Sequence, residues 1–254
     1  MGLSANYPSL RGKVVLITGG ASGIGACFVR RFAEQGARPA FIDRDAAAAQ
    51  ALSAELDAEG LGRPWFRAVD VTQVEALQAA VEAAYADHGG RLDVLVNNAA
   101  DDTRHAFDEL TPQAWERLIA VNLSSQVFAL QAAARLMGEG GSIINMGSVS
   151  WRRRRPGLVS YTTAKAAIHG LTRTAAQEVG GRGIRVNSIV PGAIATERQM
   201  RLWDSPEVVA AYLEAQALKF RLVPDDVAAM ALFLAADDSR GCTGQDFLVD
   251  GGVV

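Results

Sequence analysis

Lys13-Val14-Val15-Leu16-Ile17-Thr18-Gly19-Gly20-Ala21-Ser22-Gly23-Ile24-Gly25 is the stretch on which the fold turns. The apolar run over 13–18 has the length and β-branched content of a buried strand. The residues from 23 to 35 read as a helix. Between them, Gly19, Gly23 and Gly25 permit a tight turn and a close approach of backbone to a pyrophosphate. Ser22 and Ile24 stand beside them, where the helix start would offer N–H groups and a positive dipole end to phosphate. A glycine turn with no ligand is the alternative, but the strand-to-helix context is what gives such a loop a nucleotide role.

Outward from this unit, short apolar runs at 38–42, 65–69, 92–96, 142–146, 184–190 and 246–249 read as further strands. Helical patterns separate them at 45–59, 74–87, 112–137, 161–180 and 225–235. Pro39 is unusual within a strand, because it lacks a backbone donor. Nearly continuous apolar strands alternating with helices predict an α/β fold: a Rossmann-like, doubly wound parallel sheet of about seven strands. No linker or repeat divides residues 1–254, so one domain is expected. Residues 196–221 break the alternation and are expected to form a small helical lid over the site.

Composition narrows the function. The chain has 254 residues, 49% hydrophobic and 21% charged, with a formal net charge of −3. No basic field is present to gather nucleic acid. Its apolar runs fall short of the ~20 residues that span a bilayer, so no membrane partner is expected. The first residues lack a charged start followed by an apolar stretch, and so do not read as a secretion signal. Two cysteines, Cys27 and Cys242, and three scattered histidines offer no metal cluster and fit a reduced, cytoplasmic setting.

Asp43 ends the second strand, where a carboxylate accepts hydrogen bonds from adenosine ribose hydroxyls and repels a 2′-phosphate. That favours NAD over NADP, although the adjacent Arg44 is able to turn toward a phosphate. Asp70, ending the third strand, is placed either to bond the adenine edge or to cap the next helix. Tyr161 and Lys165 are four apart on a helical pattern and share one face. Ser148 follows the strand over 142–146, at the carboxyl edge where open sheets bind ligands. A tyrosine base would need its pKa moved from ~10 to about 7, roughly 4 kcal/mol at ~1.36 kcal/mol per unit. A nearby lysine ammonium and a positive nicotinamide are the expected sources.

The whole chain resembles the short-chain dehydrogenases/reductases. The matching residues are TGGASGIG at 18–25, Asp70-Val71, NNAA at 97–100, Asn122, Ser148, YTTAK at 161–165 and PGAIAT at 191–196. The resemblance implies a tetrad of Asn122, Ser148, Tyr161 and Lys165. In it Asn122 would hold a water through a helix distortion and link Lys165 to solvent. It also implies that Val71, Asn98, Ala99 and Ile194 border the cofactor, that Pro191 and Gly192 flank the nicotinamide, and that Thr196 bonds its carboxamide region. Ala100 departs from the family's usual glycine. The resemblance further implies a homotetramer, built through the helices of 112–137 and 161–180 and the last strand.

A narrower likeness is to bacterial sugar 1-dehydrogenases of the D-xylose 1-dehydrogenase type. It implies NAD-dependent oxidation of a cyclic aldose, D-xylose or a related pentose or 6-deoxyhexose, to its lactone. Polar groups at Asp101, Asp102, Arg104 and His105 follow a strand end, as a sugar-hydroxyl site requires. Ser150 and Trp151 follow Ser148, and Trp203 lies in the expected lid. An indole face covers the C–H face of a sugar ring. The two aspartates also fit as helix caps, and the tryptophans as packing. The arginines at 152–155 read as a solvated or subunit-interface loop, or as a grip on a substrate carboxylate. The second reading would make the substrate an acidic sugar derivative or another secondary alcohol. A nucleotide-binding relative without catalysis is the remaining alternative; Tyr161 and Lys165 together argue against it. His88 and His169 receive no role.

Overall fold

The computed structural model describes residues 4–254, the side chain of Trp203 excepted. Seven strands form one parallel sheet: β1 (Val14–Thr18), β2 (Arg38–Asp43), β3 (Trp65–Ala68), β4 (Val94–Asn97), β5 (Ser142–Met146), β6 (Arg185–Pro191) and β7 (Asp246–Val249). Their spatial order is β3-β2-β1-β4-β5-β6-β7, with every pairing parallel. The order reverses between β1 and β4, which opens a crevice at their carboxyl ends. This is the expected Rossmann-like fold.

The central strands β1, β4 and β5 are buried throughout because they are covered on both faces. Val15 and Ile17 face one layer, with α1 (Gly23–Glu34), α2 (Ala46–Ala58) and, near the chain end, a helix over Pro224–Ala235. Val14 and Leu16 face the other, with α3 (Val74–Asp87) and the helices of 125–136 and 159–180. The two-residue period of the pleat thus divides one apolar strand between two cores.

Pro39 is accommodated by register. Arg38 N–H donates to Lys13 O, so alternation turns the Pro39 nitrogen toward β3. There β3 begins only at Trp65, opposite Ala40, and no ladder bond is lost.

The expected helix over 112–137 is interrupted. It forms α4 (Pro112–Ile119), a π-helical turn (Ala120–Ser124) and α5 (Ser125–Leu136). The remaining helices are α6 (Val159–Gly180), α7 (Glu197–Trp203), α8 (Pro206–Ala215) and α9 (Pro224–Ala235). Between β6 and α9, helices α7 and α8 form an excursion whose base is pinched by a bridge between Ile194 and Leu222. Ala195 N–H donates to Leu222 O there, at 2.8 Å. Among the described residues no helix is long and apolar enough to cross a membrane.

Candidate active site

The turn after β1 is fixed by its neighbours. Asn98 Nδ2 donates to Thr18 O at 3.1 Å and Gly19 O at 2.9 Å, tying the loop to the end of β4. Thr18 Oγ1 in return accepts the Asn98 and Ala99 N–H groups. Gly19 and Gly23 adopt φ of 66° and 56°, which glycine alone reaches freely. A Cβ on Gly25 would lie 1.8 Å from Gly19 O. The helix start and the loop therefore touch only because position 25 has no side chain. Ser22, the N-cap residue, makes no side-chain capping bond, so the first turn of α1 is left open to an anion. This shape and donor set fit the pyrophosphate of a dinucleotide.

Asp43 Oδ2 accepts the Ala21 N–H at 2.9 Å, and its Oδ1 accepts the Asp45 N–H at 3.0 Å. Each oxygen retains a second lone pair for a ribose hydroxyl. Arg44 beside it is exposed. Asp70 Oδ1 accepts both the backbone N–H and the hydroxyl of Thr72, and the Thr72 N–H holds its carboxyl below the usual range. Asp70 thus stabilises its own turn, while Val71 beneath it is buried.

A cavity opens where β4, β5 and β6 end. Ile24, Asn98, Tyr161, Lys165, Pro191, Gly192, Ile194 and Thr196 line it. Thr196 caps α7, accepting the Gln199 N–H, and its methyl lies within 3.5 Å of a Cβ built on Gly23. Gly192 packs tightly on Asp250, leaving no room for a side chain.

Helix α6 carries Tyr161 and Lys165 and is fastened to the sheet by a buried polar chain. Asn97 Nδ2 donates to Asn145 Oδ1, and Asn145 Nδ2 donates to Thr172 Oγ1. Ser148 leaves β5 and caps a short 3₁₀ turn (Val149–Trp151), accepting the Ser150 N–H at 3.1 Å. Lys165 is buried, and its Nζ donates to Met146 O at 2.7 Å. Asn122, in the π turn, accepts the Asp101 N–H and donates to Asp101 O and Leu118 O. The implied helix distortion is therefore present, and Asn122 locks it to the strand-end loop.

The electrostatics differ from expectation. Burial pushes the Tyr161 hydroxyl up to about 12, with the Asp102 charge adding to it and the Ser148 contact opposing it. Burial also pulls the Lys165 ammonium down to about 7. Lys165 Nζ lies 5.5 Å from the Tyr161 ring centroid and is aimed at a carbonyl, so it lends the hydroxyl little charge. The side chains alone do not lower the tyrosine.

Of the expected sugar contacts, Asp102, Ser148, Ser150 and Tyr161 line the cavity, together with Arg104. Three expectations are corrected. Asp101 is absent from the lining; its carboxylate holds Arg117 at 2.9 Å and Thr103. His105 also lies outside it, its ring nitrogens buried without partners and its N–H bonded to Gly157 O. Trp151 turns away, donating from Nε1 to His169 Nε2 at 3.1 Å, while His169 Nδ1 bonds Asp246. Its indole N–H meets a half-buried acceptor on α6, so the ring serves packing, and His169 has the role of that acceptor. The Trp203 side chain lies outside the described residues.

The arginine run divides. Arg152 and Arg154 are exposed, Arg152 stacking on Trp151 at 5.0 Å. Arg153 and Arg155 are half-buried in the cavity wall, so for them the solvated-loop reading is corrected. Tyr212 of α8 and Gln199 of α7 complete that wall and were missed. Gln199 Nε2 meets Tyr212 Oη at 3.3 Å, a long-range contact that no local pattern announces.

The comparisons agree with this geometry. The family model described as Enoyl-(Acyl carrier protein) reductase matches residues 19–254. The chain is 45% identical over 252 residues to the probable galactose dehydrogenase GalD of Rhizobium meliloti (strain 1021), covering 98% of each chain. It is 45% identical over 251 residues to D-xylose 1-dehydrogenase of Caulobacter vibrioides (strain NA1000 / CB15N), again covering 98% of each. A solved short chain dehydrogenase from Burkholderia cenocepacia J2315, in complex with NADP, superposes with a TM-score of 0.89 at 36% identity, covering 96% of this chain and 99% of that one. Fold, glycine cradle and full-length likeness converge: the chain belongs to the short-chain dehydrogenases/reductases, an oxidoreductase family that binds a nicotinamide cofactor.

Proposed function

We propose that the protein oxidises an aldose at its anomeric carbon to the lactone, with NAD as acceptor. The observation that carries this is the convergence of Ser148, Tyr161 and Lys165 on one cavity beside the glycine cradle. The sugar comes from the likeness to galactose and D-xylose 1-dehydrogenases.

When bound, the nicotinamide supplies the two-electron acceptor for the anomeric hydrogen and a positive charge beside the site. Ser148 holds the anomeric oxygen by a hydrogen bond. Tyr161, as the phenolate, takes the hydroxyl proton, and the ring carbon becomes the lactone carbonyl. From about 12 the hydroxyl must fall well below its ordinary value, and the positive charge of a bound nicotinamide would favour that fall. Lys165, near 7, is able to gain and release a proton at working pH. The π turn, which Asn122 stabilises, is the route for a water linking Lys165 to solvent.

Asp43 supports NAD, because its open lone pairs suit ribose hydroxyls and its charge opposes a 2′-phosphate. Two free cysteines suit a cytoplasmic setting, and exposed Leu248 on edge strand β7 suits assembly as a homotetramer. The test is NADH absorbance with an aldose panel. Reduction is expected with at least one aldose, and Tyr161→Phe should abolish it while nucleotide binding remains. A variant keeping a tenth of wild-type kcat would refute the role of Tyr161.

A further inference from the structure

We propose that Arg153 and Arg155 form an oxyanion subsite in this cavity, so that the aldose oxidised carries a terminal carboxylate or phosphate. The inference rests on the aldose reading and names the class of aldose.

The two arginines line the same cavity as Ser148 and Tyr161. Both approach one face-forming side chain: the Tyr212 ring centroid lies 6.0 Å from the Arg153 guanidinium carbon and 5.1 Å from that of Arg155. Arg221 approaches the same ring at 5.1 Å, but Asp204 already neutralises it at 2.7 Å. Arg153 and Arg155 have no such partner: among the described residues no carboxylate lies within 4.0 Å of either. Asp102, the carboxylate in the cavity lining, is paired with Arg198. Asp250, the acid whose charge bears on Arg153, is occupied by the N–H groups of Gly252, Val253 and Val254.

Two like charges are therefore held together, half out of water, against one aromatic face. Burial and the Arg155 charge depress the Arg153 guanidinium below its ordinary range. The backbone is constrained as well. Arg154, between them, adopts φ of 52°, and among the described residues it is the non-glycine with positive φ. A left-handed arginine is costly, and such outliers persist where the surrounding structure enforces them. A solvated loop needs neither the strain nor the inward pair. Paired guanidinium forks suit a carboxylate or a phosphate, which an aldose presents at the end remote from its anomeric carbon.

The experiment compares D-galacturonate, D-galactose 6-phosphate and D-galactose in wild type, Arg153→Gln and Arg155→Gln. It reads kcat/KM with NAD and, separately, the affinity of each sugar by calorimetry. Wild type should favour at least one anionic sugar over galactose tenfold or more; which one distinguishes carboxylate from phosphate. Each variant should bring that ratio close to one. The advantage should also shrink as salt rises from 0.1 M to 1 M, where the Debye length falls from about 10 Å to 3 Å. Galactose oxidised as well as both anionic sugars would overturn the subsite and leave aldose oxidation standing. If no sugar is oxidised, calorimetry decides: an arginine-dependent preference for the anionic sugar upholds the subsite, and its absence overturns it.

Discussion

Replacing Lys165 by methionine separates the charge of this side chain from its packing. Lys165 is buried, and burial pulls its ammonium from 10.5 to about 7. The unfolded chain keeps that proton up to about 10.5, whereas the folded chain releases it near 7. Between these values the unfolded state binds more protons, so stability rises with pH. The penalty is full below about pH 7 and gone above about 10.5. At pH 7, with the folded group half protonated, it amounts to about 4 kcal/mol. The variant forfeits the bond from Nζ to Met146 O, worth about 1 kcal/mol. Met146 O is not orphaned, because Gln126 Nε2 also donates to it at 3.2 Å. Lys165→Met should therefore stabilise the nucleotide-free protein by about 3 kcal/mol at pH 7. For a chain of this size that is a rise in Tm of about 6–12 °C. At pH 9.5 the penalty falls to about 1 kcal/mol and the gain nearly vanishes. Thermal unfolding of both proteins across pH 7 to 9.5 checks this. Parallel Tm profiles, or a variant less stable at pH 7, would refute the reasoning. Turnover should be lost together with the gain, as where a site is kept strained for chemistry.

Asp43→Ala should weaken NAD and narrow the gap to NADP, read as kcat/KM for both cofactors; a wild type that already prefers NADP would move the assignment to Arg44. Gly25→Ala should weaken NAD binding at least tenfold and lower Tm, because its Cβ would fall 1.8 Å from Gly19 O and 2.7 Å from Asn98 Nδ2. Binding within twofold of wild type would show that the cradle does not hold the pyrophosphate.

What was legible in the sequence was whatever is encoded by period or by glycine. The β1 turn and α1 were readable because the strand is short, the helix amphipathic and the glycines sit where side chains would collide. The π turn was not read from periodicity, which gave a single helical pattern over 112–137; the family likeness alone implied a distortion at Asn122. The four-residue spacing put Tyr161 and Lys165 on one helix face, but it was the family likeness that singled them out as a catalytic pair. The expectation for Trp151 failed because its direction is set by His169 on α6 and, behind it, Asp246 on β7, both distant in sequence. Arg153 and Arg155 flank the left-handed Arg154, a conformation no residue type advertises when it is not glycine or asparagine.

The pinch between Ile194 and Leu222 makes the excursion over residues 195–221 an interchangeable cassette. Its two ends are already joined by a backbone hydrogen bond at the sheet's edge, so the seven-strand register does not depend on what lies between them. The closure entropy of a longer excursion grows only with the logarithm of its length, about 0.6 kcal/mol per doubling. Exchange within this segment should leave the sheet register in place so long as Thr196, whose methyl packs beside Gly23 of the cradle, is kept. Within such a lineage, the chemistry at one end of the cavity and the choice of molecule at the other are free to evolve at different rates.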